Sequence, residues 1–142
     1  MPAAARWQRG QALVELALAA PLLLLLTSGV LAVGRVGRAE LDINQVALNA
    51  ARAAALAPTK NAAVMQGMTE GNTVAAQDGL KDGSFRLVVD ANAFARGGSV
   101  TAEAQDTVAF TDLPLLGWVR VTVSGRHTEP VDRYRTIGGG GA

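Results

Sequence analysis

Apolar and polar residues divide the first part of the chain into two patterns. Residues 16–34 contain no charged side chain, and a run of about 19 residues can cross a hydrocarbon core ~30 Å thick as a helix. Arg6 and Arg9 precede this run, and Glu15 stands at its edge, where a charge costs far less than at the bilayer centre. The pattern predicts a basic leader over residues 1–10 and a transmembrane helix over residues 11–34.

Beyond residue 34 the pattern remains helical but becomes amphipathic. Apolar residues recur at spacings of three and four, at Val36, Ala39, Ile43, Val46, Ala50, Ala53 and Ala57. Pro58 disfavours continuation of the helix. We therefore expect one nearly continuous helix over residues 11–57, about 70 Å long at 1.5 Å per residue. Its alanine-rich stripe is expected to pack on the protein's own sheet, with packing on helices of other chains as the alternative.

The remaining sequence predicts a second helix and several strands. Residues 62–68 and 73–81 are weakly helical, with an interruption near Gly71. Alternating apolar and polar residues predict strands over 85–91, 100–110 and 119–124, and more weakly over 131–135. Asp106 falls on the apolar side of its strand, which predicts a bulge or a break. A turn is expected over residues 96–99.

This order of elements favours an α+β fold, in which a long N-terminal helix packs on a small antiparallel sheet. The part expected outside the cytoplasm covers residues 58–137, and residues 138–142 form a glycine-rich tail that we expect to be flexible. Hydrophobic residues make up 49% of the chain but aromatic residues only 4%. The core is therefore expected to consist mainly of alanine, valine and leucine.

The residue inventory argues against several classes of function. A formal net charge of +1 gives no basic surface for nucleic acid, and the absence of cysteine excludes disulfides and thiolate metal sites. His127 is the only histidine, and no cluster has metal-ligand spacing. No glycine-rich phosphate-binding motif or nucleophile elbow occurs. We predict that the protein is not an enzyme and uses no cofactor or metal; a hydrolase is a remote alternative.

The loop over residues 111–118 is unusually apolar for a segment punctuated by proline and glycine. It carries four large apolar residues, Leu113, Leu115, Leu116 and Trp118. One interpretation is a loop folded over the sheet edge as part of the core, since large exposed patches are rare on monomers. The other is a contact surface for a partner subunit or the bilayer.

Three kinds of N-terminal signal fit the first 34 residues. A cleaved secretory signal would use Arg6 and Arg9 as its basic region, but the apolar run is long for one. An uncleaved signal anchor fits the length. The third is a signal that is cut before the apolar helix rather than after it.

The third possibility is favoured by a family resemblance. Residues 9–26, RGQALVELALAAPLLLLL, resemble the N-terminus of TadE-like proteins, which are minor pilin-like components of tight-adherence (Tad/Flp) pilus systems. The resemblance implies cleavage by a prepilin peptidase after Gly10, which makes Gln11 the first residue of the mature chain and Glu15 the fifth. It also includes a proline early in the apolar helix, here Pro21.

The chain differs from the short major Flp pilins in two respects, which indicate the class of pilin that it resembles. Leu16 follows the glutamate where the short major Flp pilins have tyrosine, and the chain is longer than those pilins. The resemblance therefore implies a TadE-like minor pilin or pseudopilin that assists assembly, initiation or tip display of a Tad-type (type IVb/IVc) pilus. The alternative is a structural or binding module held to the membrane by an uncleaved signal anchor.

The resemblance also implies partners and a location. The partners are a prepilin peptidase, inner-membrane Tad platform proteins, other pilin or TadE/TadF/TadG-like subunits and the lipid bilayer. The implied location is the cell membrane, single-pass, with incorporation in a surface pilus as a further step. Arg6 and Arg9 favour a cytoplasmic N-terminus and an extracytoplasmic C-terminal domain, although Arg35 and Arg38 flank the other end.

Glu15 and Pro21 are the two residues to which the resemblance assigns an assembly role. A carboxylate in an apolar environment requires a partner, and in pilins this is the N-terminal amine of a neighbouring subunit. The alternative is that Glu15 lies at the headgroup level and contacts water or lipid amines. Pro21 removes one backbone hydrogen bond, which gives either a kink that helps helices pack or a mild bend without an assembly role.

Overall fold

The computed structural model describes residues 3–80 and 83–132. In chain order they form α1 (Ala3–Ala55), α2 (Lys60–Gln77), β1 (Arg86–Asp90), β2 (Ser99–Ala109) and β3 (Arg120–Pro130). This is the predicted α+β fold. The chain divides into two compact units, one of residues 1–35 with 109–120 and the other of residues 36–108 with 121–142.

Helix α1 is one continuous helix, as predicted, and ends two residues earlier than expected, at Ala55. Its C-terminal half carries the predicted stripe, and Ile43, Val46 and Ala50 are completely buried. They belong to the hydrophobic core of the second unit, together with residues from α2 and the sheet. The expectation that this stripe serves the protein's own core is confirmed.

Helix α2 is also a single helix, so the predicted interruption near Gly71 is wrong. It begins at an N-cap, Thr59, whose hydroxyl accepts a hydrogen bond from the Ala62 amide at 3.2 Å. Its buried residues are Ala63, Gly67, Gly71 and Ala75. Each is four positions from the next, so they form one row of small residues along the helix. The glycines leave room for a neighbouring helix rather than breaking α2.

This row faces the C-terminal half of α1 at short range. A Cβ added at Gly67 would lie 2.9 Å from the Ala50 carbonyl oxygen and 3.0 Å from the Ala54 Cβ. A Cβ added at Gly71 would meet the Leu87 side chain and lie 3.0 Å from the Ala50 Cβ. The two helices therefore pack with backbones in close approach, which only small residues permit.

The three strands form an antiparallel sheet in the order β1-β2-β3. In the β1–β2 pair, Val88 lies opposite Glu103 and Arg86 opposite Gln105. Three cross-strand contacts fix the β2–β3 register: Thr101 with Thr128, Glu103 with Arg126, and Thr107 with Thr122. Residue numbers rise along β2 as they fall along β3, as antiparallel pairing requires.

The predicted break at Asp106 does not occur, because β2 continues through it to Ala109. Asp106 lies just beyond the last residue of β2 that pairs with β1, Gln105. The Ser84 hydroxyl donates a hydrogen bond of 2.7 Å to its carboxylate. A half-buried carboxylate is tolerated on this side because the neighbouring strand has ended and a serine supplies a donor.

Strand β3 is longer than predicted, whereas the weak fourth strand is not formed over its described part. Val131 exchanges backbone hydrogen bonds with Gly98 and Gly97, at 2.9 and 3.2 Å, and neither it nor Asp132 is in a strand. These bonds tie the end of β3 to the predicted turn, where Gly97 has a φ of 74°. Residues 133–135 of the expected strand and the tail over 138–142 lie outside the described residues.

Candidate functional site

The N-terminal half of α1 exposes apolar side chains on every side. Leu13, Leu18, Val30 and Val33 are each at least two-thirds exposed. Among the described residues this is the one helix long and apolar enough to cross a membrane. Exposure of so many large apolar residues in water is unfavourable. The helix therefore fits a single-pass membrane anchor.

The predicted cleavage and docking residues lie on consecutive turns of this helix. Residue 10 is helical, and the Gln11 side-chain amide donates a hydrogen bond of 3.2 Å to Glu15 Oε1. Positions four apart are neighbours on a helix surface, so the expected first and fifth residues of the mature chain lie side by side. A carboxylate has two oxygens and about four acceptor sites. One bond from a neutral amide leaves it able to accept a charged donor.

Pro21 lies inside α1, which remains helical across it. Since proline has no N–H, the Ala17 carbonyl cannot receive its usual bond from position 21. The Thr27 hydroxyl donates to the Leu23 carbonyl at 2.8 Å, a contact that often accompanies slight bending. Two features that weaken the regular helical ladder thus lie within the apolar segment. An assembly role for Pro21 stays a prediction.

The sequence pattern did not predict the ion pair that lies at the end of the apolar segment. The Arg35 guanidinium donates two hydrogen bonds, each 2.6 Å, to the two carboxylate oxygens of Asp112. This bidentate geometry is the strong form of the arginine–carboxylate pair. It joins residues 77 positions apart, and no local pattern predicts such a partner.

The ion pair changes the titration of both groups. The hydrogen bonds from Arg35 hold the pKa of the Asp112 carboxyl below its usual value, and those to Asp112 raise the pKa of Arg35. A carboxyl with a lowered pKa contributes stability above its unfolded pKa and loses it as the pH falls through its folded pKa. The contact is therefore intact at neutral pH and weakens only in acid.

His127 is half-exposed on β3, and its Nε2 lies 3.1 Å from Glu129 Oε2. Within residues 3–80 and 83–132, no group of histidine, aspartate and glutamate side chains could hold a metal ion.

Comparison with known proteins connects the N-terminal helix with a family. A family model described as TadE-like protein matches residues 10–55. The match begins at the predicted cleavage glycine and ends at the last residue of α1. No curated protein and no solved structure matches the chain. TadE-like proteins are associated with Tad pili and are not an enzyme family. Over residues 10–55 the chain is similar to the TadE-like family, as the RGQALVE string and the apolar run predicted.

Proposed function

We propose that the protein is a minor pilin or pseudopilin of a Tad-type pilus. The observation that carries this proposal is the TadE-like match, which coincides with α1 from Gly10 to Ala55. In this role the protein assists assembly, initiation or tip display. It acts through helix packing and subunit contacts, and not through catalysis.

The exposed apolar surface of α1 supports the proposal because it suits two environments in turn. In the membrane, side chains such as Leu18 and Val33 contact lipid. In a growing pilus the same side chains would contact the apolar helices of other subunits, which removes a similar apolar area from water. The half of α1 beyond Val36 is held by the protein's own core. The apolar stripe of that half is therefore already used, and the N-terminal half offers the larger free apolar surface for assembly.

The proposed partners follow from this division of the helix. A prepilin peptidase would act at Gly10, where the leader meets the apolar segment. Inner-membrane Tad platform proteins and other pilin or TadE/TadF/TadG-like subunits would contact the membrane helix. We place the extracytoplasmic domain on the C-terminal side of the span, since Arg6 and Arg9 favour a cytoplasmic N-terminus.

Cleavage after Gly10 is the first prediction. Removal of residues 1–10 takes away two of the 13 basic residues, Arg6 and Arg9, and none of the 12 acidic ones. The formal side-chain charge therefore changes from +1 to −1. Mass spectrometry of the membrane-extracted protein should find Gln11 at the N-terminus, and the intact leader in a strain that lacks the peptidase. An N-terminus at Met1 or Pro2 in cells with an active peptidase would exclude processing.

The pilus role itself is tested by deletion. Loss of the protein should abolish surface pili in electron micrographs, and expression of the wild-type chain should restore them. Normal piliation of the deletion strain would instead favour a module held to the membrane by an uncleaved signal anchor. A second control is the quantity of the major pilin in the membrane, which should not fall in the deletion strain if the defect lies in assembly.

A further inference from the structure

The segment over residues 109–120 buries part of its apolar surface and exposes its largest side chain. Phe110 is 1% exposed and Leu113 is 7% exposed, whereas Leu115 and Trp118 are 57% and 84% exposed. Its backbone forms successive turns, in which the amides of Leu113, Leu116 and Val119 donate to carbonyls three residues earlier at 2.9, 3.2 and 2.9 Å. The segment is thus an ordered structure that presents a tryptophan outward.

This segment lies against the apolar part of α1. It forms one compact unit with residues 1–35, and the Arg35–Asp112 ion pair fastens it to the helix. Ser28 is only 3% exposed in a stretch where most neighbours are exposed. The part of this unit that lies off the helix is residues 109–120, and we attribute the burial of Ser28 to it. Since Ser28 is seven residues before Arg35, the segment extends about 10 Å along the helix toward the membrane.

Leu115 provides independent evidence that the segment is held in an unusual conformation. Its φ is 66°, in the left-handed region that side chains with a Cβ rarely adopt. Such strain persists only where the surrounding structure maintains it, and it occurs often at functional positions. Here the strained residue directs an exposed leucine outward, three positions before Trp118.

We infer that residues 109–120 form a membrane-interface anchor, in which Trp118 and Leu115 insert into the headgroup layer of the leaflet next to Arg35. Tryptophan is enriched at this depth because one part of its ring system is apolar and its N–H is polar. The segment forms one compact unit with the membrane-spanning part of α1, and its Asp112 pairs with the charge of Arg35. The inference rests on membrane anchoring by α1 and does not depend on the pilus role.

The chain contains two tryptophans, Trp7 and Trp118. Under the proposed cleavage after Gly10 the mature chain would keep only Trp118, so this anchor does not depend on the leader.

The experiment uses the full chain, not exposed to peptidase, in phospholipid nanodiscs that contain one copy each. The W7F substitution leaves Trp118 as the sole tryptophan. Its emission should be shifted to the blue and quenched by lipids brominated near the headgroup. The matched control combines W7F and W118F with M65W, which places the tryptophan at an exposed position on α2. Iodide in the water should quench Trp118 at least about threefold less than this control, as expected of an interfacial tryptophan.

Three outcomes would overturn the inference. Trp118 quenched by iodide as strongly as the M65W control would show that it faces water. A blue shift that appears only in discs with several copies would assign the surface to a second copy of the chain. A blue shift that appears only when other pilus proteins are added would assign it to a partner subunit.

A second substitution tests Leu115 without disturbing the fold. L115G is compatible with the positive φ and removes only the apolar side chain, so it should increase iodide quenching of Trp118. Unchanged quenching would exclude a contribution of Leu115. Alkaline extraction tests whether α1 anchors the protein without Trp118. If it does, the W118S chain should remain in the membrane fraction.

Discussion

Replacement of Gly67 by alanine is expected to lower the free energy of unfolding of the second unit by about 1–2 kcal/mol. Overpacking of a well-packed core costs about 1–3 kcal/mol, and the better helix propensity of alanine returns up to about 1 kcal/mol. The added Cβ would lie 2.9 Å from the Ala50 carbonyl oxygen. That oxygen belongs to the backbone of α1, so relief requires the two helices to separate. Urea unfolding of the full chain in detergent, followed by pulse proteolysis, measures the change.

Two other glycines serve as matched controls for this prediction. Gly37 is also helical, but nothing lies within 4 Å of an added Cβ, so G37A should stabilise the chain by up to about 1 kcal/mol through helix propensity. G71A should cost less than G67A, because its closest neighbour is the end of the flexible Leu87 side chain. If G67A and G37A had the same effect, close packing of α1 on α2 would be refuted.

The second large effect is expected at Glu15. A deletion strain that expresses the Glu15→Ala chain should have no surface pili, although the protein should reach the membrane in normal amounts. The reason is that a carboxylate in an apolar environment stabilises an assembly only through a charged, hydrogen-bonded partner. Under the proposed function this partner is the amine that cleavage creates on Gln11 of a neighbouring subunit. Electron microscopy counts the pili, and immunoblots of membrane fractions measure the protein.

Two variants separate the charge of Glu15 from its local contact. Glu15→Gln keeps the shape of the side chain and removes its charge, so it should also fail to restore pili. Gln11→Ala removes the side-chain amide that donates to Glu15 Oε1 but keeps the main-chain amine, and it should restore them. Restoration of pili by Glu15→Ala would contradict the docking role and favour a glutamate that merely contacts water or lipid headgroups.

The periodicity of apolar residues predicted those helices and strands whose formation depends mainly on burying one apolar face. The long helix, its buried stripe and the main strands follow from burial of apolar residues at the period of a helix or a strand. Two of the wrong predictions, those at Gly71 and Asp106, share a cause. The low helix propensity of glycine predicted an interruption at Gly71, and the cost of burying a carboxylate predicted a bulge or break at Asp106. In the fold, α1 needs the space that Gly71 leaves, and Ser84 supplies a donor to Asp106. Tertiary partners therefore reversed both local preferences.

The candidate site also contains some residues that local sequence predicts and others that only tertiary contacts reveal. Gly10, Gln11 and Glu15 could be found from a short string because they are adjacent in sequence, and their roles are expectations that depend on the family resemblance. Arg35 and Asp112 could not be found, since 77 positions separate them. The loop over residues 111–118 left two interpretations open. Its exposed Trp118 and buried Leu113 have different environments within one apolar string.

By itself the sequence determined that the chain has a charge-free helix of membrane length with a TadE-like N-terminus, because hydropathy, charge and a local motif are properties of contiguous residues. Only the tertiary structure decided which small residues bring α1 and α2 into contact, and which carboxylate meets Arg35. It also decided that Trp118 is presented outward beside the membrane helix. These features depend on distances between residues far apart in the chain, and those distances exist only once the apolar surfaces have packed.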